Sequence, residues 1–375
     1  MLLKKLIITL ILIANCSVFV YAAEIPTISA RNAVLINAET KEVLYEKKSQ
    51  DKLSMASTTK IMTSILAIES GRLCDVVTAE NMQSEGTSIG LENGYKLTLE
   101  SLVWGMMLES GNDAAKLTAN YLAGTEENFS TLMNNKAREI GMADTNFVTA
   151  SGLDSEGHYS TAYDMALLGA YAVNNPLFRE ICSSKTKRVE FIEPALVRVF
   201  SNHNRLISMC DGVFGIKTGF TKKSGRCLVS ACERNGVVLV AVTLNAGDDW
   251  NDHIRLYDYG YGICSDEEVY VRFPDKTKVY GGAQDSVLLT SQENPIRISR
   301  SNKEKRISQK VILPTFTYAP VREGDIAGKI QLLADGKIIY ERSIVYAESV
   351  DAVSPIPNKK NIFAELFSRI EDIFN

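Results

Sequence analysis

Three short runs in this 375-residue chain hold side chains whose types and spacing suit a single reaction. The first is Ser57-Thr58-Thr59-Lys60. A serine hydroxyl is a weak nucleophile until a neighbouring base takes its proton. Residues three apart lie one above the other on a helix face, so the Lys60 amine can reach the Ser57 hydroxyl if this run opens a helix. A lysine serves as a base only with a lowered pKa, which burial and a nearby positive charge both produce. Free N–H groups at the helix start would add donors for an oxyanion. On its own, S-x-x-K equally describes a capping serine beside a solvated lysine.

Two further runs accompany it. Ser110-Gly111-Asn112 falls in the break between two helical patterns, where a loop can turn polar groups inward. Lys217-Thr218-Gly219 follows the apolar stretch Val213 to Ile216 and reads as an edge strand beside the site. The order S-x-x-K, S-x-N, K-T-G is the set used by serine β-lactamases and penicillin-binding proteins.

The surrounding pattern supplies elements to hold these runs. Residues 33–45 read as a hairpin and residues 57–70 as a helix whose Ile61, Ile65 and Ile68 share a face, with Gly71 as a stop. Residues 99–108 form a second helix capped by Thr98, Asp113 caps a third to about residue 121, and residues 129–140 form a fourth ended by Gly141. Residues 227–232 and 237–244 are apolar strands joined through Asn235-Gly236. Strands at both ends with helices between predict an α+β domain, in which an antiparallel sheet built from both chain ends is flanked by helices.

With these pieces in place, the chain resembles the low-molecular-mass penicillin-binding proteins, the serine-type D-alanyl-D-alanine carboxypeptidase family. The likeness rests on Ala56-Ser57-Thr58-Thr59-Lys60-Ile61-Met62-Thr63, Ser110-Gly111-Asn112-Asp113-Ala114-Ala115, Gly152-Leu153, His158-Tyr159-Ser160-Thr161-Ala162 and Gly215-Ile216-Lys217-Thr218-Gly219-Phe220-Thr221. It spans residues 30–264 and implies a serine β-lactamase/transpeptidase-like fold. It also implies roles. Ser57 would form an acyl-enzyme with stem peptides ending in D-Ala-D-Ala, and Lys60 would be its base. Ser110 would relay a proton to the leaving D-alanine, with Lys217 positioning it. Asn112 would hold the acylated peptide's amide, and Thr218 the terminal carboxylate. Gly219 and Phe220 would complete the substrate-binding strand, the N–H groups of Ser57 and Phe220 forming the oxyanion hole. β-Lactam antibiotics would acylate Ser57, and no metal or organic cofactor would be needed. Two departures stand out. Asp248 and Asp249 occupy the region where some relatives carry a carboxylate-binding arginine, with Arg255 farther on. Ser151 stands where some relatives have a histidine before the Gly-Leu pair, and His158, His203 and His253 read as structural.

Rival readings are weighed on the same residues. A serine β-lactamase needs a deacylating carboxylate, for which Glu156 is the one nearby candidate. An endopeptidase would use the same motifs. A non-catalytic cell-wall-binding module would have lost Ser57, Lys60 or Lys217, and all three are present.

Composition bounds the rest. The net charge of -4 argues against nucleic acid as a partner. Lys4 and Lys5, the apolar residues 6–20 and Val20-Tyr21-Ala22 form a leader of residues 1–23 that marks the protein for export to the outer face of the bacterial membrane. Six cysteines beyond it lack framework spacing and read as small buried thiols, with Cys227 and Cys232 on opposite faces of one strand. Residues 24–265 form the catalytic domain. Residues 266–350 carry short strand-like runs, two of them joined by Asp335-Gly336, and read as a small all-β, sandwich-like domain. Residues 351–375 form a proline linker and an amphipathic helix whose Phe363, Phe367 and Phe374 could rest on a membrane surface.

Overall fold

The computed structural model describes residues 24–82, 85–291, 294–301 and 306–353. The expected leader and amphipathic tail lie outside these residues. The chain divides into two compact units between Ser265 and Asp266.

In chain order the first unit begins with strands β1 (Asn32–Asn37) and β2 (Val43–Lys47), then helix α1 (Lys60–Glu69) and strands β3 (Val76–Thr78) and β4 (Lys96–Thr98). Helices α2 (Leu99–Leu108), α3 (Asn112–Ala123), α4 (Glu126–Ile140), α5 (Ala162–Ala172) and α6 (Pro176–Ser183) follow. Strands β5 (Thr186–Phe191) and β6 (Leu196–Ser201), the short helix α7 (Leu206–Met209), strands β7 (Val213–Thr221), β8 (Gly225–Arg234) and β9 (Val237–Ala246), and helix α8 (Asp249–Ile263) complete it.

The main sheet has the order β2-β1-β9-β8-β7. The strand nearest the N-terminus pairs antiparallel with the last one, Val34 opposite Val242 and Ile36 opposite Val240, so both chain ends do build it. The β8–β9 hairpin turns at Asn235 and Gly236 with φ of 52° and 80°, the left-handed pair a two-residue turn requires. Both faces of the sheet are covered. Val34, Ile36, Val240 and Val242 join the core under helices α1 to α6. Ala33, Leu35, Leu239 and Ala241 pack with Leu256 and Tyr257 of α8. That double burial explains why these strands read as continuous apolar runs instead of alternating ones. Cys227 belongs to the first core and Cys232 to the second, as the spacing required. Cys182, Cys210, Cys227 and Cys232 are buried free thiols, and burial pushes Cys182 up to about 12. Cys74, contrary to expectation, is exposed.

Helix ends follow local chemistry. The Thr98 hydroxyl accepts from the Ser101 N–H at 3.1 Å and caps α2 as expected. Thr125 caps α4 in the same way, so that helix starts three residues before the expected one. Asp113 is not the cap of α3. It lies inside the first turn, and its carboxylate instead accepts from the N–H groups of Ile89 and Leu91, both at 3.0 Å, and from Ser88 Oγ at 2.6 Å. These bonds tie the 88–91 loop to the turn carrying Ser110.

Helices α5, α6, α7 and α8, the β3–β4 pair and the β5–β6 hairpin were not expected. Helix α5 is buried nearly all round, so it shows no amphipathic period. Helix α8 buries Asp252 and His253 on its inward face, where polar residues disguise the helical spacing. Asp252 is satisfied by Ser29 N–H, Ser29 Oγ and Ala30 N–H at 2.7–2.9 Å. His253 is held between Ser230 Oγ at 2.6 Å and Thr243 Oγ1 at 2.9 Å.

The second unit is all β among its described residues: β10 (Ser265–Val269), β11 (Lys276–Tyr280), β12 (Ser286–Thr290), β13 (Ile296–Arg300), β14 (Ile307–Ile312), β15 (Phe316–Tyr318), β16 (Ile326–Ala334) and β17 (Lys337–Tyr346). A six-stranded sheet β14-β16-β17-β12-β11-β15 and the pair β10-β13 share a core that includes Val287, Ile298, Ile330 and Ile344. The sequence reads as strands over 269–273, 287–289, 296–298, 311–313, 326–333 and 338–345; the structure places the first of these at Ser265–Val269 and adds β11 and β15, which that reading lacks.

Candidate active site

The run containing Ser57 does not open an α-helix. Ala56–Thr59 forms a 3-10 turn, and α1 begins at Lys60. The difference helps the chemistry, because side chains three apart eclipse in a 3-10 turn. Lys60 Nζ lies 2.9 Å from Ser57 Oγ. Neither the turn nor α1 has a side-chain cap, which removes the reading of Ser57 as a capping serine. Lys60 is fully buried, which removes the solvated lysine.

The amine has two other neighbours, Asn112 Oδ1 at 2.7 Å and Ser151 O at 2.6 Å. Both are acceptors only, so each takes an N–H. A neutral amine has two N–H groups and one lone pair. The two acceptors therefore direct the lone pair at the Ser57 hydroxyl, the arrangement a general base needs. Burial pushes the Lys60 pKa well below its ordinary value, and the charge of Lys217 pushes it the same way, against a smaller opposing pull from Asp113.

Asn112 opens α3, and its Nδ2 donates to Glu85 O at 2.7 Å. Its orientation is thus set by the protein before any ligand arrives. Ser110 is buried in the break between α2 and α3 with φ of 61°. Ala56, next to Ser57, has φ of 49°. Left-handed backbone at a non-glycine residue costs about 1–2 kcal/mol. Such strain persists only where the surroundings over-determine it, and here it flanks two of the three motifs.

Strand β7 forms the opposite wall at the sheet edge. Lys217 is buried there, and burial lowers its pKa to about 7, with Glu109 opposing. Its Nζ donates to Thr218 O at 3.2 Å. Thr218 is half-buried and Phe220 is exposed. Gly219 sits against the nucleophile's turn. A Cβ there would lie 3.0 Å from Ser57 N and 3.1 Å from Met55 O, so only glycine lets the strand come this close.

Two contributors, Ser151 and Gly152, escaped sequence reasoning, and a third, His158, takes the structural role expected of it. The Ser151 carbonyl fixes Lys60, and a backbone oxygen leaves no trace in residue type. Gly152 touches the nucleophile's turn: a Cβ there would lie 1.9 Å from Ala56 O, and its φ is +83°. The conspicuous Gly-Leu pair was the available signal for it. His158 braces the same turn. Its Nδ1 accepts from Val148 N–H at 2.9 Å, so Nε2 carries the proton and donates to Thr59 Oγ1 at 3.0 Å. Burial lowers its pKa to about 4, which keeps it neutral and supports the structural role expected of it. Glu156 is exposed. Arg255 Nη1 reaches Thr27 O at 3.4 Å, toward the N-terminal segment.

Residues 20–248 match the family model for D-alanyl-D-alanine carboxypeptidase, and residues 264–352 match that for the penicillin-binding protein 5 C-terminal domain. The chain is 32% identical over 337 residues to the D-alanyl-D-alanine carboxypeptidase DacF of Bacillus subtilis, covering 86% of each chain. It is 33% identical over 351 residues to DacC of Escherichia coli, covering 88% of this chain and 86% of that one. Penicillin-binding protein 5 from Haemophilus influenzae is similar in structure, with a TM-score of 0.63 at 25% identity, covering 87% of this chain and 98% of that one. Motif order, the contact of Ser57 with the buried Lys60 and these matches converge: the chain belongs to the serine D-alanyl-D-alanine carboxypeptidase family of low-molecular-mass penicillin-binding proteins.

Proposed function

We propose that Ser57 is the acylated residue of a D-Ala-D-Ala carboxypeptidase and that Lys60 is its base. The observation that carries this is the buried Lys60 amine, 2.9 Å from Ser57 Oγ, with its two N–H groups assigned to Asn112 and Ser151. Ser57 Oγ attacks the carbonyl between the two terminal D-alanines as its proton passes to Lys60. Ser110 returns a proton to the leaving amine, with Lys217 beside it. The N–H groups of Ser57 and Phe220 receive the oxyanion, and Asn112 holds the peptide amide. Lys217 and Thr218, with Gly219 leaving room for them, take the terminal carboxylate. Water then releases the acyl group from Ser57. Incubation with a pentapeptide should release one D-alanine, and penicillin should leave its adduct on the peptide containing Ser57. An adduct on Ser110, or none, overturns the assignment.

The two lysines predict a pH profile. Lys60 works only when neutral, so kcat/KM falls on the acid side. Lys217 attracts a carboxylate only when charged, and with a pKa lowered to about 7 it loses that charge as pH rises through neutrality. The expected kcat/KM therefore falls about tenfold per pH unit above that point. Lys217→Arg stays protonated throughout and should act more slowly, with the alkaline fall abolished. An alkaline limb unchanged in Lys217→Arg would assign it to another group.

Residues 1–23 serve in this reading as an export signal, 24–265 as the catalytic domain, 266–350 as an accessory β domain, and 351–375 as a linker and membrane-surface anchor. The support for the anchor is the aromatic stripe of Phe363, Phe367 and Phe374 behind a proline linker. Among the described residues no helix is long and apolar enough to cross a membrane. Truncation after Pro357 should move the protein to the soluble fraction without changing its Tm or its D-alanine release. A truncated protein that still pellets with membranes contradicts the anchor.

A further inference from the structure

A pocket of about 350 Å³ opens beside the candidate site, and the mechanism does not use it. Its walls come from the elements that build the site. Ser54 precedes the nucleophile's turn, Lys223 and Ser224 follow the end of β7, and Tyr159 follows the loop that carries Ser151. Arg31 and Lys52 complete the charged lining, and no acidic residue lines the pocket. Lys52 pairs with Asp144 at 3.0 Å and lies over the Tyr159 ring at 4.9 Å. Arg31 and Lys223 are exposed and have no ion-pair partner among the described residues.

The direction of β7 shows what would reach this pocket. In the proposed function, on which this inference rests, the terminal carboxylate lies at Lys217 and Thr218. The scissile carbonyl lies farther along, at Ser57 and Phe220. A substrate extended along β7 therefore runs its upstream residues toward Lys223. Strands advance about 3.3 Å per residue, so the step from Phe220 to Lys223 is at most about 10 Å. An extended peptide spans that in two to three residues. We infer that the pocket lined by Arg31, Lys52 and Lys223 is an upstream subsite for a free carboxylate, carried two to three residues before the acylated D-alanine. The two unpaired cations meet that carboxylate, whereas the Ser54 and Ser224 hydroxyls already donate to Asp154 Oδ1 at 2.7 Å and to Gly225 O at 2.9 Å.

The test compares two peptides ending in D-Ala-D-Ala that differ only in that upstream group, one a free carboxylate and the other its carboxamide. For the unaltered protein, kcat/KM should favour the acid by about 3- to 10-fold, the range expected of two solvent-exposed charges. The preference should shrink as salt is raised. In Lys223→Glu, and more so in Arg31→Glu/Lys223→Glu, it should disappear or invert. Acylation by penicillin reports the integrity of the site in each variant, and competition of each peptide with that acylation gives a second reading of the same ratio. A ratio of one in the unaltered protein, or a ratio that survives both substitutions, overturns the subsite. Loss of penicillin acylation in the unaltered protein would instead strike the proposed function itself, and the subsite with it.

Discussion

Lys60→Ala should slow acylation by penicillin about 10²- to 10⁴-fold, the usual contribution of a positioned general base. Ser57→Ala should remove the adduct altogether and so sets the floor. The expectation for Lys60 follows from where its nitrogen sits. Asn112 Oδ1 and Ser151 O each take one N–H, and the remaining position faces Ser57 Oγ at 2.9 Å. The amine is also a structural donor, so alanine alone would confound two effects. It leaves two buried acceptors without their partner, at about 1–3 kcal/mol each. Lys60→Gln separates the roles, because an amide keeps two N–H groups and has no basic lone pair. Gln should recover part of the stability lost in Ala, with acylation still slow. Stopped-flow acylation rates and thermal melts on the three proteins decide the matter. A Gln variant that acylates at the normal rate would show that Lys60 only holds Asn112 and Ser151 in place.

Gly152→Ala is expected to damage both fold and reaction, although Gly152 carries no functional group. The added Cβ would lie 1.9 Å from Ala56 O, 2.5 Å from Ala56 C and 2.8 Å from Thr59 Oγ1. Two of these are backbone atoms and cannot rotate away. Ala56 and Thr59 are the two ends of the 3-10 turn that holds Ser57. Relieving the overlap must move that turn or the 151–153 loop, and the Ser151 carbonyl on Lys60 moves with the loop. Overpacking of this kind costs about 1–3 kcal/mol, and the left-handed backbone at φ +83° adds about 1–2 more. At about 2–4 °C per kcal/mol for a domain of this size, Tm should fall by about 5–15 °C. A shift of about 1 Å in the nucleophile should lower acylation about 100-fold. Gly71→Ala is the control. It has φ of +70° but nothing within 4 Å of the added Cβ, so it should cost the backbone term alone and leave acylation untouched. Equal behaviour of the two variants would mean that contact with Ala56 does not hold Ser57.

The candidate site was legible where its chemistry is local. Ser57 and Lys60 are three residues apart, and any helical turn brings them together, so the pair could be read without knowing that the turn is 3-10 and not α. Thr98 ahead of α2 and Asn235-Gly236 between β8 and β9 are likewise decided by neighbouring backbone groups. Helices α5 and α8 were missed for opposite reasons. One is apolar on nearly every side, and the other buries Asp252 and His253 where its stripe should be apolar. In each case burial by distant elements erased the periodicity from which a helix is read.

The sequence by itself determined the motif order, the sheet built from both chain ends, and the separate all-β unit, because short-range periodicity and turn chemistry encode them. Only the tertiary structure decided the state of the base. Lys60 meets Asn112 from 52 residues away and Ser151 from 91 residues away, and it feels Lys217 from the opposite wall. A lysine's pKa depends on its solvation and on nearby charge, and both are properties of position in space. The same holds for Gly152, whose importance is a distance of closest approach to Ala56, a quantity that exists only once the two segments have folded against each other.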